Sequence, residues 1–461
     1  MESRRRFLIE GAGVLAATAV GPTILTRRVA AARSLKILQW SHFVPAYDQW
    51  FDPWAKRWGA SRGIDVVVDH VSFADVVPRA TAEVAAQSGH DIHMFLGLAS
   101  AFEEHVVDLG DVVRAVEQKH GPTVDLVTRS TYNPFTKKQF AVSDMWVPDP
   151  GNYVKPVWAE IGMANGPSTW DDLVKAAPDI KKTHPEIQIP IGIGLSQDID
   201  SNMAVRNILW CHGASVQDDK GNVVLGSPET LRALEYAKRL FAAGMNPAVL
   251  SWNAASNNQA FNAKQTAYIL NSISAYRTAQ DNKLPIADQA FFVPALKGPT
   301  GIQFASEHVM SGYVVWKFSR NQDVAKEFLV ALIDASRDAM MASKLYNFPS
   351  FYGAVAEPGT PVQKKVEAGE AWIAAQCRKD PFGSHPPDKL ALLATARSWS
   401  TNLGHPGHAN PAAGEIFDTY VITDMFAKAA TGAQSPKAAM GEAEGRAKEI
   451  FAKWRKKGFV G

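Results

Sequence analysis

From residue 33 onward the chain moves between two hydrophobic periods. Leu35-Lys36-Ile37-Leu38-Gln39-Trp40 is a short apolar run that predicts a strand, and Ser41 to Ala46 reads as the loop after it. Asp48 to Ser61 then sets Trp50, Trp54 and Trp58 at i, i+4 and i+8. That spacing gives one helix face, where these rings read as core packing. Ile64 to His70 predicts a second strand, Asp75 to Gln87 a second helix, and Asp91 to Leu96 a buried strand ending at Gly97. Strand, helix, strand, helix, strand is the order of an α/β unit with a parallel sheet. The pattern returns later: Ile187 to Ile193, Ala267 to Asn271 and Ala290 to Pro294 predict strands, while Asn202 to Cys211 and Ser227 to Ala243 predict helices. Ser227-Pro228-Glu229 offers a capping hydroxyl, a proline at the first helical position and an acidic first turn, and Gly244 ends that helix. Beyond Asn321 the chain is mainly helical. Its last helix, Pro436 to Arg455, follows a Ser435 cap and carries Ala439, Ala443, Ala447 and Ile450 on its apolar face.

Residues 1–32 have a different order. Arg4-Arg5-Arg6-Phe7-Leu8 precedes a Gly/Ala-rich apolar stretch from Gly11 to Leu25, and Ala30-Ala31-Ala32 offers a small-residue cleavage site. This is the layout of a secretory signal, and Arg4-Arg5 with Phe7 and Leu8 gives it the look of a twin-arginine export signal. The apolar stretch stops at Arg27-Arg28, short of the about 20 residues a membrane span needs. The expected mature protein is therefore periplasmic and starts near Arg33. Removing the segment changes the charge. Of 48 basic and 46 acidic residues, five arginines and two glutamates leave with it, and the rest carries a net charge of −1. A near-neutral surface gives no support for nucleic-acid or anionic-membrane binding. The remaining length suggests roughly two to three domains. Cys211 and Cys377 are the two cysteines; in an oxidising compartment they could pair, or both could be buried free thiols.

Most chemical motifs are absent. There is no G-x-x-x-x-G-K-[ST], and Gly192-Ile193-Gly194 lacks the third glycine of a dinucleotide loop because Gln197 stands there. His90-x-x-His93 and His405-x-x-His408 lack a third metal ligand at a familiar spacing, and no G-x-S-x-G or C-x-x-C-H occurs. Neither a metal nor a cofactor is expected. What remains is a set of aromatic and polar side chains near strand ends, where the ligand crevice of an open α/β sheet lies. The candidate ligand-binding residues are Trp40, His42, Phe43, Trp146, Trp252, Asn253, Asn271, Tyr276 and Glu307. Flat rings suit the C–H faces of a sugar, and Asn and Glu suit its hydroxyls. An exported hydrolase or lyase is the alternative. It would need two carboxylates about 5–9.5 Å apart, and Asp144, Asp198 and Glu307 could supply them. A binding protein for a polyamine or a phosphorylated polyol is a further alternative.

Several ordered segments resemble the extracellular solute-binding proteins, family 1, of ABC transporters. Pro167-Ser168-Thr169-Trp170-Asp171-Asp172-Leu173 resembles the family's P-x-T-W-D-E-L, and Phe261 to Ala267 its F-x-x-G-K-A-A-M. Asn321 to Leu329 resembles N-x-E-x-A-x-E-F-L, Asn347-Phe348-Pro349 the turn that follows, and Pro436 to Met440 the start of the terminal helix. Ser143, Tyr153-Val154 and Ala263 depart from the pattern. The resemblance implies an α/β, two-lobed periplasmic binding protein fold with a central cleft and three hinge crossings. It puts one lobe at 33–142 plus 292–316 and the other at 143–291 plus 317–461. It further implies a monomer that closes on a small ligand, a sugar or polyol, and delivers it to membrane ABC permease subunits without covalent chemistry.

Overall fold

The computed structural model describes residues 33–461, so the expected export signal lies outside the described residues. Eight strands build two sheets: β1 (Arg33–Trp40), β2 (Ile64–Val71), β3 (Ile92–Leu96), β4 (Gly151–Val154), β5 (Ile191–Gly192), β6 (Tyr268–Leu270), β7 (Ala290–Val293) and β8 (Ser311–Val315). The first sheet runs β8-β3-β1-β2, with β1 parallel to β2 and β3 and with β8 antiparallel to β3. The second runs β7-β4-β6-β5, with β5 parallel to β6 and the other pairs antiparallel. The helices that matter for the site are α1 (Ala46–Ala60), α2 (Val76–Ala86), α3 (Ile199–Cys211), α4 (Gln322–Asp334), α5 (Pro411–Asp418) and α6 (Pro436–Lys456). Among the described residues no helix is long and apolar enough to cross a membrane.

Local chemistry explains most boundaries. Ser227 Oγ accepts from the Thr230 amide at 3.1 Å and Ser435 Oγ from the Ala438 amide at 3.2 Å, so both predicted caps form. The Thr169-Trp170-Asp171-Asp172 segment is a capping box: Thr169 Oγ1 accepts from the Asp172 amide and Asp172 Oδ2 from the Thr169 amide. One strand is much shorter than its apolar run. Of Ile187 to Ile193 only Ile191–Gly192 pairs, because Pro190 has no N–H to give; its carbonyl instead accepts from the amides of Ala267 and Tyr268.

The lobe boundaries differ from the expected ones in two places. Phe292 and Val293 pair with Asn152 and Gly151, so the chain is still in the second sheet at 292. Helix α4 packs with the first sheet's lobe, not with the second as the 317–461 assignment had it. Its Phe328 ring lies 6.2, 5.4 and 5.1 Å from the rings of Phe51, Trp54 and Trp58, and the apolar face of α1 needs that cover. Between the sheets three segments run side by side. Val142 bridges Tyr313, Trp146 bridges Met310, and Met145–Trp146 pairs antiparallel with Phe348–Pro349.

The histidine and cysteine pairs are structural. His90 Nδ1 meets Glu83 Oε1 and its Nε2 meets Asp69 Oδ2 at 3.0 Å, tying β2, α2 and β3 together. Burial works to raise the Glu83 carboxyl, but hydrogen bonds from His90 and His93 outweigh it and hold it down at about 2. His405 contacts Thr401, and His408 contacts the Tyr132 carbonyl. Cys211 and Cys377 are buried and unpaired.

Candidate functional site

A cavity of about 280 Å³ opens beyond the carboxyl ends of β2, β3 and β5. One wall comes from the first lobe: Phe73, Val76 and Val77 after β2, and Phe95, Leu96 and Leu98 at the end of β3. The opposite wall is Ile199 at the start of α3 with Phe417, Asp418 and Tyr420 at the end of α5. Trp40, at the end of β1, backs the first wall, its ring 6.5 Å from Phe73 and edge-on to it.

Behind Ile199 the chemistry turns polar. Asp198 caps α3, its Oδ1 accepting from the Asp200 amide at 3.0 Å. Asp200 Oδ2 accepts from Asn257 Nδ2 at 2.8 Å, while its Oδ1 has no hydrogen-bond partner and lies 4.0 Å from His308 Nε2. His308 Nδ1 is 3.1 Å from Asp149 Oδ1, but the angles make no hydrogen bond, so both ring nitrogens and that oxygen are unpaired. Asp149 is held from behind, its Oδ2 accepting from Asn207 Nδ2 at 3.1 Å. The Tyr346 hydroxyl and Trp40 Nε1 are also buried and unpaired. An unpaired buried polar atom costs about 1–3 kcal/mol, and here five residues carry them in one neighbourhood. Other buried unpaired atoms are scattered through the fold, among them the indoles of Trp58 and Trp170, and a second group lies where Ser306 and Glu307 run beside Ser400 and Asn402.

Charge is tuned around the same spot. Burial pushes the Asp200 carboxyl up to about 7 against the pull of the nearby His308. His308 itself rises: burial lowers it, but Asp149, Asp200 and Asp198 together outweigh that. Asp418 keeps part of its surface open to the cavity, yet protein surrounds it deeply enough that lost hydration pushes its carboxyl up to about 7. Arg206, nearly two turns beyond Asp200 on α3, is drawn down by burial to about 9. Its guanidinium bonds the Asn202 carbonyl at 3.0 Å and lies 4.9 Å over the Phe417 ring.

The sequence-predicted residues divide. Trp40 adjoins the cavity, with Phe43 edge-on to it at 5.0 Å. His42 is buried beside them, with Nε2 on Asn347 Oδ1 at 3.0 Å and its ring pulled by burial down to about 4, hence neutral. Asn271 is buried in a polar chain, donating to Asn258 and accepting from the Ser272 amide at 2.7 Å. The others go elsewhere. Trp146 is fully buried at the junction and packs on Phe348 at 5.8 Å. Trp252 is half-buried, its carbonyl accepting from the Ser196 hydroxyl. Asn253 is exposed and closes the turn before the following helix, its Oδ1 accepting from the Ala255 amide at 3.0 Å. Tyr276 is turned by its helix toward Ser384, to which its hydroxyl donates at 2.7 Å, and toward Phe292. Glu307 Oε1 accepts from Ser130 Oγ at 2.7 Å, and burial pushes that carboxyl up to about 8. Asp149, Asp200, His308, Tyr346 and Asp418 were missed. The one sequence signal was Asp198-Ile199-Asp200 just after a strand and opening a helix.

Comparison with known proteins agrees with this architecture. A probable ABC transporter-binding protein of Deinococcus radiodurans is 24% identical over 305 residues, 63% of this chain and 70% of that protein. Maltose-bound MalE3 of T. maritima superposes with a TM-score of 0.70 at 17% identity, over 91% of this chain and 100% of its own. A ribitol-bound ABC transporter solute-binding protein from Agrobacterium radiobacter gives 0.70 at 16% identity, over 91% and 98%. A laminaribiose-bound sugar transporter structure from Arthrobacter chlorophenolicus gives 0.71 at 15% identity, over 90% and 99%. At these identities the structural neighbours fix the fold, a two-lobed periplasmic binding protein fold. Residues 53–370 match the family model described as bacterial extracellular solute-binding protein, and with that match across most of its length the chain belongs to this family.

Proposed function

We propose that the protein is the exported ligand-binding component of an ABC importer and captures a small carbohydrate or polyol in the cavity between its lobes. The observation that carries this reading is the convergence of unpaired buried polar atoms from Asp149, Asp200, His308 and Tyr346 behind an apolar-walled cavity. A ligand with several hydroxyls could pair with these atoms, and its C–H faces could lie on Phe73, Phe95 and Phe417. The maltose, ribitol and laminaribiose named for the structural neighbours support the ligand class. The Deinococcus relative supports the transporter partnership.

The working cycle needs no bond making. Ligand enters between the lobes, pairs the orphaned atoms and holds the lobes together. The closed form then docks on membrane permease subunits. The protein acts in the periplasm as a monomer, after removal of residues 1 to about 32 by the twin-arginine route. Lysine substitution of Arg4 and Arg5 should then block export; normal export of that variant contradicts the route.

A thermal-shift screen of residues 33–461 against sugars and polyols tests the binding reading. A ligand at 100 times its Kd should add about 2.7 kcal/mol of stability. Tyr346→Phe and Asp200→Asn should weaken the hit. A hit unaffected by both variants contradicts the site.

A further inference from the structure

We infer that the ligand carries a protonated amino group, seated at Asp418 and Asp200 across Ile199, so that it is an amino-substituted sugar or polyol. This rests on the reading of the cavity as the ligand site and sharpens it.

The charge balance points this way. Four aspartates, Asp149, Asp198, Asp200 and Asp418, surround the site, against two basic side chains, His308 and Arg206, and burial holds the Asp200 and Asp418 carboxyls near 7, so a nearby cation would favour their ionised forms. The two cations do not face the ligand equally. Arg206 is 2% exposed and occupied by Asn202 and the Phe417 ring. His308 sits between Asp149 and Asp200, with 3.1 and 4.0 Å to their nearest oxygens. Asp418 is the charged side chain that lines the cavity itself; Arg206 draws on it from a distance, without an ion pair within 4.0 Å among the described residues. Asp200 Oδ1, behind Ile199, is buried and unpaired; the Tyr346 hydroxyl, which has the Ser272 hydroxyl nearby but makes no well-formed hydrogen bond, lies in its field.

A neutral sugar would add only hydroxyl donors to the distant pull of Arg206 on Asp418. A phosphate or carboxylate would meet like charge on several sides. An ammonium group supplies three donors and the matching sign, and a charge-assisted hydrogen bond is roughly twice as strong as a neutral one. The aliphatic wall of Val76, Val77, Leu96 and Leu98 takes the carbon skeleton beside it.

The test uses matched pairs on the mature chain: glucosamine against glucose and N-acetylglucosamine, galactosamine against galactose, and glucamine against glucitol. Thermal shift and calorimetric titration at pH 7 read the affinities. At least one amino member should bind tenfold or more tighter than its neutral partner. Asp418→Asn, folded by circular dichroism, should bring the ratio of amino-member to neutral-member affinity down by tenfold or more, whatever it does to the neutral members alone. If neutral members bind as tightly as amino members and Tyr346→Phe weakens both, the amine is overturned and the cavity stands. If an amino member binds but ignores Asp418→Asn, Asp200→Asn and Tyr346→Phe alike, both the amine seat and the cavity are overturned. No binding by any member overturns the amino-sugar assignment, and the cavity then stands or falls on the neutral screen.

Discussion

Two buried polar clusters lie close together in this protein and differ in one respect. At the junction, Asp144 accepts from the Ser311 hydroxyl and from Tyr47 at 3.4 Å, and Ser143 meets Ser350 at 2.7 Å. Gln39 and Tyr313 exchange bonds at 2.9 and 3.1 Å. None of these side chains has an unpaired buried atom. Around Asp200, His308, Asp149 and Tyr346 the donors and acceptors are just as deep, and several have no partner. A closed network rigidifies a fold; an open one of similar burial holds free energy that a ligand can release. The first cluster is closed within the protein; under the proposed function, the second is where a ligand would complete the pairing.

Breaking the junction should give the largest effect. Trp146→Ala removes a fully buried ring packed on Phe348 and should cost about 3–5 kcal/mol of stability by chemical denaturation. Affinity per folded molecule should change by less than about threefold. A variant that is stable but binds poorly would move Trp146 into the recognition surface.

Glu307 is an intermediate case, with Oε1 bonded to Ser130 and Oε2 unpaired. Its folded carboxyl sits near 8, above its unfolded value, so the stability it contributes is fully present below about pH 4.5 and is lost as pH rises toward 8. Wild type should lose on the order of 3–4 kcal/mol between pH 5 and pH 8 through this group. Glu307→Gln should flatten that slope. An unchanged slope in thermal melts would contradict the assignment.

The sharpest contrast is a pair of single-atom deletions. Tyr313→Phe breaks a paired hydroxyl and should cost about 1 kcal/mol of stability without changing affinity. Tyr346→Phe removes an unpaired one, so it should leave stability unchanged or slightly raised and weaken binding by roughly 3- to 10-fold. The same response from both variants would erase the distinction between the clusters.

The fold was legible where local chemistry decides it. Leu35 to Trp40, Ile64 to His70 and the Ser227 and Ser435 caps need only neighbours in sequence, and each formed within a residue or two of its predicted bounds. The short β5 could have been read from Pro190. Helix α4 was misassigned because Phe328 finds its partners on α1, some 270 residues away, and nothing local says so. The site was less legible for the same reason. Trp40, placed after a strand, packs behind the cavity wall against Phe73, whereas Tyr276, equally placed in sequence, is rotated by its helix toward Ser384. Asp149, Asp200, His308 and Tyr346 come from four separate segments. What marks them is a missing partner, a property of the folded arrangement that no spacing encodes.

The most direct test is a crystal structure of the mature chain with its tightest ligand from the screens. The account predicts ligand polar atoms about 2.7–3.2 Å from Asp200 Oδ1 and the Tyr346 hydroxyl, with the carbon skeleton against Phe73 and Phe417. A ligand bound elsewhere, with those two atoms still unpaired, would contradict it.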